Sequence, residues 1–333
     1  VLHGHQTWEF QNKPYILSSA AVGGPFEGEG PLANDFDILH GDTWLGQDSF
    51  EKAEKKLFEQ ACEKAIEKAG LKKEDIQFFL AGDLLNQIIS SSFTARTLAA
   101  PYLGLFGACS TSMEGLALAS LIVNSHSAEY VLCGAVSHNS SVEKQFRYPT
   151  EYGGQKPPTA QWTATAAGVA VLGKTGTGPR VTAATIGRVV DMGLSDPFNM
   201  GAAMAPAAVD TIEAHFRDLG RTFDDYDLVA TGDLAKVGHP IAKDLMKKHG
   251  IKVPDHFVDC GMMIYGEDQP VIAGASGAGC SAAVTYGHIL NRLRRGELKR
   301  VLIVATGALL SPLSFQQKES IPCIAHGVVI ENI

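Results

Sequence analysis

The chain has 333 residues, 45% of them hydrophobic and 19% charged, which is enough apolar material for a large core and a length that suits two domains or two halves of one. A net charge of −8 with a pI near 5.8, and no basic block interleaved with aromatics, argues against nucleic acid as a partner. Cysteines at 62, 109, 133, 260, 280 and 323 form no C-x-x-C pair and meet no histidine at zinc-like spacing, so neither a metal site nor a disulfide framework is indicated. A reducing compartment fits. No apolar run reaches the roughly 18 residues of a membrane span, and "VLHGHQTWEF" at the start lacks signal-peptide anatomy. The expectation is a soluble chain that is not secreted.

In chain order, the first clear helix opens at Asp48, with Glu51 three residues on as a capping box. Leu57, Phe58, Ala61, Ala65 and Ala69 form its apolar face, and Gly70 stops it. "EDIQFFLAGDLL" (Glu74–Leu85) and "YLGLFG" read as buried strands. "LFGACSTSMEGLALAS" (Leu105–Ser120) then brings Cys109 to a small-residue turn, and Met113, Leu116, Ala117 and Ser120 repeat at helical steps. The thiol therefore sits at a helix start, where unpaired amides and the helix dipole favour thiolate or a bound anion. "YVLCGAV", "GVAVLG" and "VTAATIG" are further strands, and the Gly/Pro-rich "GKTGTGPR" (Gly173–Arg180) marks a seam that divides the chain into 1–175 and 176–333. Beyond it, Val209, Ile212 and Phe216 line a helix ending at Gly220, followed by the strands "DDYDLVATGDLA" and "VLIVATG".

The two segments are copies of one unit. Asp75, Gly82 and Asp83 pair with Asp225, Gly232 and Asp233, each 150 positions later. "GACS" at Gly107 pairs with "GAGC" at Gly277, and "YVLCGAVS" at Tyr130 with "RVLIVATG" at Arg300, each 170 later. Short apolar strands separated by helices suit buried sheets in an α/β protein.

A duplicated βαβαβ-type unit with a cysteine at a strand-to-helix turn in its first copy resembles the thiolase and ketoacyl-synthase fold. The resemblance implies a five-layer α-β-α-β-α sandwich with a pseudo-twofold. Four longer blocks, "GLFGACSTSME", "EKQFRYPTEYGGQKPPTA", "GRTFDDYDLVATGDL" and "ATGALLSPLSFQQKESIPCIAHGVV", are similar to the stage V sporulation protein AD family of spore-forming bacteria. That resemblance implies a protein without a catalytic role or cofactor. Such a protein binds dipicolinic acid (pyridine-2,6-dicarboxylate), alone or as its calcium chelate. It acts in uptake into the developing spore with membrane proteins of the same operon, the SpoVA group, lying peripherally on the inner membrane of the forespore or spore. Pairing of first copies through edge strands, giving a homodimer, is implied by the fold.

The residues themselves test that implication. Condensing enzymes of this fold need a base and an oxyanion donor beside the thiol, delivered by loops of the second copy. Where those enzymes carry histidine or asparagine, this chain has Gly232 and Asp233, and "AGASGAGCSAA" (Ala273–Ala283), with Ser276 and Gly277, in the other loop. The thiolases' second cysteine is missing from "VATGALLSP" (Val304–Pro312). "GHP" at Gly238 imitates a thiolase turn but reads as Pro240 opening a helix, with His239 at its start. "GVAVLGKT" matches the phosphate-loop spacing with four apolar middle residues, which suits a strand better than an exposed loop.

A flat aromatic dianion needs cations or amides for two carboxylates and an apolar slot for the ring. The candidates are the Cys109 turn for one carboxylate, Arg147 or Lys156 for the other, Tyr148 or Tyr152 over the ring, and Arg96 as a further cation. Gly232, Asp233, Ser276 and Gly277 are the second-copy loops expected at the pocket. Asp83 and Asp233 are read mainly as braces that accept amide hydrogen bonds. The competing readings are an acyltransferase with Cys109 as nucleophile and Asp233 or His138 as base, and a ligand-free scaffold for a membrane complex.

Overall fold

Strands that are apolar on both faces must be covered on both faces, and this chain covers each sheet with helices on either side. The computed structural model describes residues 1–146 and 156–333. The first half holds β1 (Tyr15–Gly23), α1 (Phe50–Lys68), β2 (Phe78–Gly82), α2 (Ile89–Leu98), β3 (Tyr102–Gly104), α3 (Thr111–Asn124), β4 (Tyr130–Ser137), α4 (Asn139–Phe146) and β5 (Ala166–Gly173). The second holds β6 (Arg180–Thr185), α5 (Met200–Leu219), β7 (Leu228–Thr231), α6 (Ala235–Lys248) and β8 (Phe257–Asp259). It continues with a helix, α7, built from Ala278–Ala283, a π-helical stretch Val284–Ile289 and Leu290–Arg294, and ends with β9 (Arg300–Ala308) and β10 (Cys323–Glu331).

The first sheet runs β1-β5-β4-β2-β3 and the second β6-β10-β9-β7-β8. In each, the first two pairings are antiparallel and the last two parallel, so the same order is built twice. The sheets meet edge to edge at Tyr15 and Arg180, with Ile16 N–H donating to the Pro179 carbonyl and Val181 N–H to the Pro14 carbonyl beside them. Between them lie α3 and α7; α1 and α2 cover the outer face of one sheet, α5 and α6 that of the other. The fold is the five-layer α-β-α-β-α arrangement.

Three apolar clusters fill the layers. Leu80, Met113, Leu116, Tyr286 and Ile303 pack centrally, Leu57 and Phe58 of α1 pack with Phe79 and Leu132 of the first sheet, and Val209 and Ile212 of α5 pack with Val229 and Leu302 of the second. Neighbouring residues of one strand, Phe79 and Leu80, feed different clusters, which explains the absence of polar alternation. Each fully buried leucine or phenylalanine contributes about 1.5–3 kcal/mol. Gly70 and Gly220, 150 positions apart, both take left-handed backbone (φ 69° and 63°) as α1 and α5 end.

Local signals needed three corrections. The α1 cap is Ser49, whose hydroxyl accepts from Lys52 N–H at 3.3 Å, while Asp48 instead pairs with the Lys52 ammonium. Pro240 lies inside α6, which already starts at Ala235; His239 is 7% exposed, stacks on Phe257 and donates to its carbonyl. Asp259 accepts from the Leu234 and Ala235 N–H groups and so anchors that start, and Gly238 lets the helix pack tightly on α5, where a Cβ would stand 2.4 Å from the Gly201 carbonyl oxygen. Finally, β3 is an edge, with Leu103 46% exposed and no strand on its outer side among the described residues. "GVAVLG" is strand β5, buried throughout, and forms no phosphate loop. No helix among the described residues is long and apolar enough to cross a membrane.

Candidate functional site

Cys109 lies in a 3-10 turn, Ala108–Ser110, that leads directly into α3. Ala108 takes left-handed backbone (φ 50°), and the end of β9 presses on the turn from the other half. A Cβ at Gly307 would stand 2.2 Å from the Gly107 carbonyl oxygen, so only glycine lets the strand approach this closely. The thiol residue is 8% exposed at the floor of a narrow cleft. Leu84, Phe106, Phe146, Met200 and Leu310 form apolar walls, and Thr163 and Ser276 supply hydroxyls. The inner cleft has about 40 Å³ of open space, room for a few waters. An outer part of about 280 Å³ continues past Phe106 and Phe146 to Asn86 and Ser311. Among the described residues lining either part there is no lysine, arginine or histidine.

The second-half loops reach this floor as the duplication predicts. Asp233 is fully buried and accepts from Thr306 Oγ1 at 2.7 Å, from Gly277 N–H at 3.0 Å, and from the Cys109 thiol. Burial pushes its carboxyl up from the ordinary 3.8 to about 7, against the opposing pull of those hydrogen bonds. Gly232, just before it, packs on the backbone of Ala305 and Thr306, and its carbonyl faces the Cys280 thiol. Ser276 lines the cleft, and Gly277, at φ 110°, opens α7.

The duplicated aspartates do not share one role. Asp83 accepts from Leu85 N–H and from the Ser91 N–H and hydroxyl, tying the start of α2 to the end of β2. In the second half that task falls to Asp259, which accepts from Leu234 and Ala235 N–H at the start of α6. Asp233 is thereby left to face the thiol. Asp83 faces another buried acid instead: Glu54 is raised by burial and then by the Asp83 charge, and Asp83 itself is pushed by burial to about 6.

The other sequence candidates fall elsewhere. His138 uses both ring nitrogens, Nε2–H donating to Thr43 O at 2.8 Å and Nδ1 accepting from Ser140 N–H at 3.1 Å, and burial lowers its pKa. It is not among the residues lining the Cys109 cleft. Lys156 pairs with Glu143 at 2.9 Å and stands 4.7 Å above Trp162, in a separate cleft with Phe50 and Asn139. Arg96 lies on α2, in a cleft against α1. Arg147, Tyr148 and Tyr152 lie outside the described residues. Phe106, Met200 and Leu310, which shape the cleft, escaped the sequence reading; only the closeness of Phe106 to the cysteine turn offered a signal.

A nucleophile-type turn, set between two copies of one sheet-and-helix unit and facing loops of the second copy, defines a protein of the thiolase fold. The profile of stage V sporulation protein AD matches residues 4–331, and the Bacillus subtilis (strain 168) protein of that name is 53% identical over 331 residues, covering 99% of this chain and 98% of its own. The chain belongs to the stage V sporulation protein AD family, a family of sporulation proteins. Human mitochondrial 3-ketoacyl-CoA thiolase, solved with CoA, superposes with a TM-score of 0.63 at 13% identity, covering 99% of this chain and 100% of the enzyme. The Aquifex aeolicus 3-oxoacyl-[acyl-carrier-protein] synthase III gives 0.59 at 14%, covering 96% and 99%. A Xanthomonas campestris OleA variant gives 0.60 at 15%, covering 98% and 100%. At such identities these neighbours share the fold.

Proposed function

We propose that this chain is a non-catalytic binding protein for dipicolinic acid, free or as its calcium chelate, which serves uptake of the diacid into the forming spore. It works beside membrane proteins of the SpoVA group, peripherally on the inner membrane. The observation that carries the non-catalytic part is the thiol's setting. Its titratable neighbour is a buried carboxyl, the wrong charge to support a thiolate, and the described residues lining the inner cleft at the thiol include no imidazole, side-chain amide or cation to hold a tetrahedral oxyanion. Family membership supports the sporulation role. A homodimer formed through β3 accords with the exposed Leu103 and Phe106, at 46% and 49%.

One observation favours acyl transfer as a second reading: a carboxyl with a pKa of about 7, hydrogen-bonded to the thiol, has the proton affinity of a general base. Calorimetry with dipicolinate, using the 3,5-isomer as control, together with acyl-coenzyme A labelling read by mass spectrometry, separates the two. Selective binding that persists in Cys109→Ala, with no label on Cys109, is expected. A labelled Cys109 that turns over, with no diacid binding, would establish the enzyme instead.

A further inference from the structure

Ser141, in the first turn of α4, faces two oxygens with a single proton. Its Oγ lies 2.6 Å from Glu54 Oε2 on α1 and 3.2 Å from the His138 carbonyl oxygen, and all three residues are buried. With Glu54 ionised both neighbours are acceptors, and one of the two contacts goes unmade. A proton on Glu54 makes both: the carboxyl O–H donates to Ser141 Oγ, and the Ser141 O–H donates to His138.

The surroundings favour that proton. Asp83, the charge that faces Glu54, is equipped to be ionised, since it accepts from Leu85 N–H and from the N–H and hydroxyl of Ser91. Glu54 Oε1 completes no hydrogen bond, and among the described residues neither acid pairs with a lysine or arginine. Burial first, and the Asp83 charge second, raise Glu54 well above the ordinary 4.5. The other groups around it are engaged or pushed toward their uncharged forms. Glu51 on α1 pairs with Lys144, and Glu143 of α4 with Lys156. Burial raises Tyr102 of β3, beside Asp83, and lowers His138 at the start of α4. From α2 the pair meets the hydroxyls of Ser90 and Ser91.

The helix held in this way is a wall of the Cys109 cleft. Val142, next to Ser141, lines its inner part, and Phe146 lines both parts. The Lys144 and Gln145 contacts of α4 are at the surface and hold it weakly. We infer that Glu54 is a positioning residue for the Cys109 cleft: while it carries its proton it holds Ser141, and with it the wall formed by Val142 and Phe146, and its ionisation frees α4 from α1. For the effect on a ligand, the inference rests on the dipicolinate reading above.

Amide hydrogen exchange along α4 from pH 5 to pH 8 tests it, on the unaltered chain, Glu54→Gln and Ser141→Ala, with circular dichroism as a check on folding. Where reclosing outpaces exchange, hydroxide catalysis alone speeds any amide about tenfold per pH unit. An opening that releases the Glu54 proton adds up to about a further tenfold per unit, until the closed form ionises as well. The α4 amides of the unaltered chain are therefore expected to climb about 100-fold per unit. Glu54→Gln, whose amide N–H donates to Ser141 as the carboxyl O–H does, shows only the first rise. Ser141→Ala speeds α4 exchange about threefold to tenfold at the acid end of the range. The same pH slope in the unaltered chain and Glu54→Gln, or α4 rates unmoved by Ser141→Ala, would overturn the inference. Dipicolinate affinity from pH 6 to pH 8 reads the coupling to the cleft: it falls more steeply in the unaltered chain than in Glu54→Gln, because ionisation of Asp233 weakens both alike. Equal profiles in the two overturn that coupling. No dipicolinate binding by the folded, unaltered chain refutes the dipicolinate reading alone, and the exchange slopes still decide for or against Glu54.

Discussion

Asp233→Asn removes a buried carboxyl whose protonation is tied to folding. In the unfolded chain this group titrates near its ordinary 3.8; in the folded protein burial holds it at about 7. Between those values the folded state keeps a proton that the unfolded state has released, so stability falls as pH rises, by about 1.4 kcal/mol per pH unit for this one group. Below the lower value both states are protonated, above the upper both are ionised, and the slope vanishes. The whole window amounts to about 4 kcal/mol. Asp83 and Asp259, each raised by burial to about 6, impose slopes of the same sign in both proteins; Asp83 cancels in the comparison, whereas Asp259, whose charge helps raise Asp233, loses that repulsion in the variant and adds to its gain. Asparagine is close to isosteric, its oxygen can accept from Gly277 N–H, and its amide can donate to Thr306 Oγ1. Urea unfolding of both proteins at half-unit steps from pH 4 to pH 8 measures the difference. The asparagine variant is expected to gain on the unaltered chain steadily up to about pH 7, by about 3–4 kcal/mol in all, and no further. Parallel stability curves across that range would refute the assignment of a proton to Asp233.

Other outcomes follow from the same structure. Ser49→Ala deletes the cap of α1 and is expected to cost about 1 kcal/mol in urea unfolding, whereas Asp48→Ala, which breaks only an exposed pair, costs a few tenths; the reverse order would restore the capping box at Asp48. The His138 imidazole, lowered by burial and hydrogen-bonded at both nitrogens, is expected to take up its proton at a lower pH than an ordinary histidine in an NMR titration of its ring resonances, and a midpoint at or above the ordinary 6.5 would refute that.

Much of the architecture is legible in the sequence because it is written in short windows. Apolar periodicity along α1, the glycines at 70 and 220, and runs apolar on both strand faces are local properties, and their recurrence after 150 and 170 positions announces two copies of one unit. The cysteine turn is local as well, and so is the absence of histidine or asparagine from the loops that face it. The α1 cap is misassigned to Asp48 from the sequence for a local reason: Asp48 and Ser49 are adjacent and both favour the position, and the folded backbone places Ser49 there.

What only the tertiary structure decided depends on distances between segments far apart in the chain. Equal spacing paired Asp83 with Asp233, but burial against different neighbours turned one toward Glu54 and the other toward the Cys109 thiol, and Asp259 took over the amide contacts at α6. Glu54 and Ser141 come from separate helices, and nothing in either helix shows that they meet. Protonation states and cavities are properties of the packed interior, where removal of water and the approach of distant groups set the energies. A linear pattern carries which side chains are available; packing carries which of them meet.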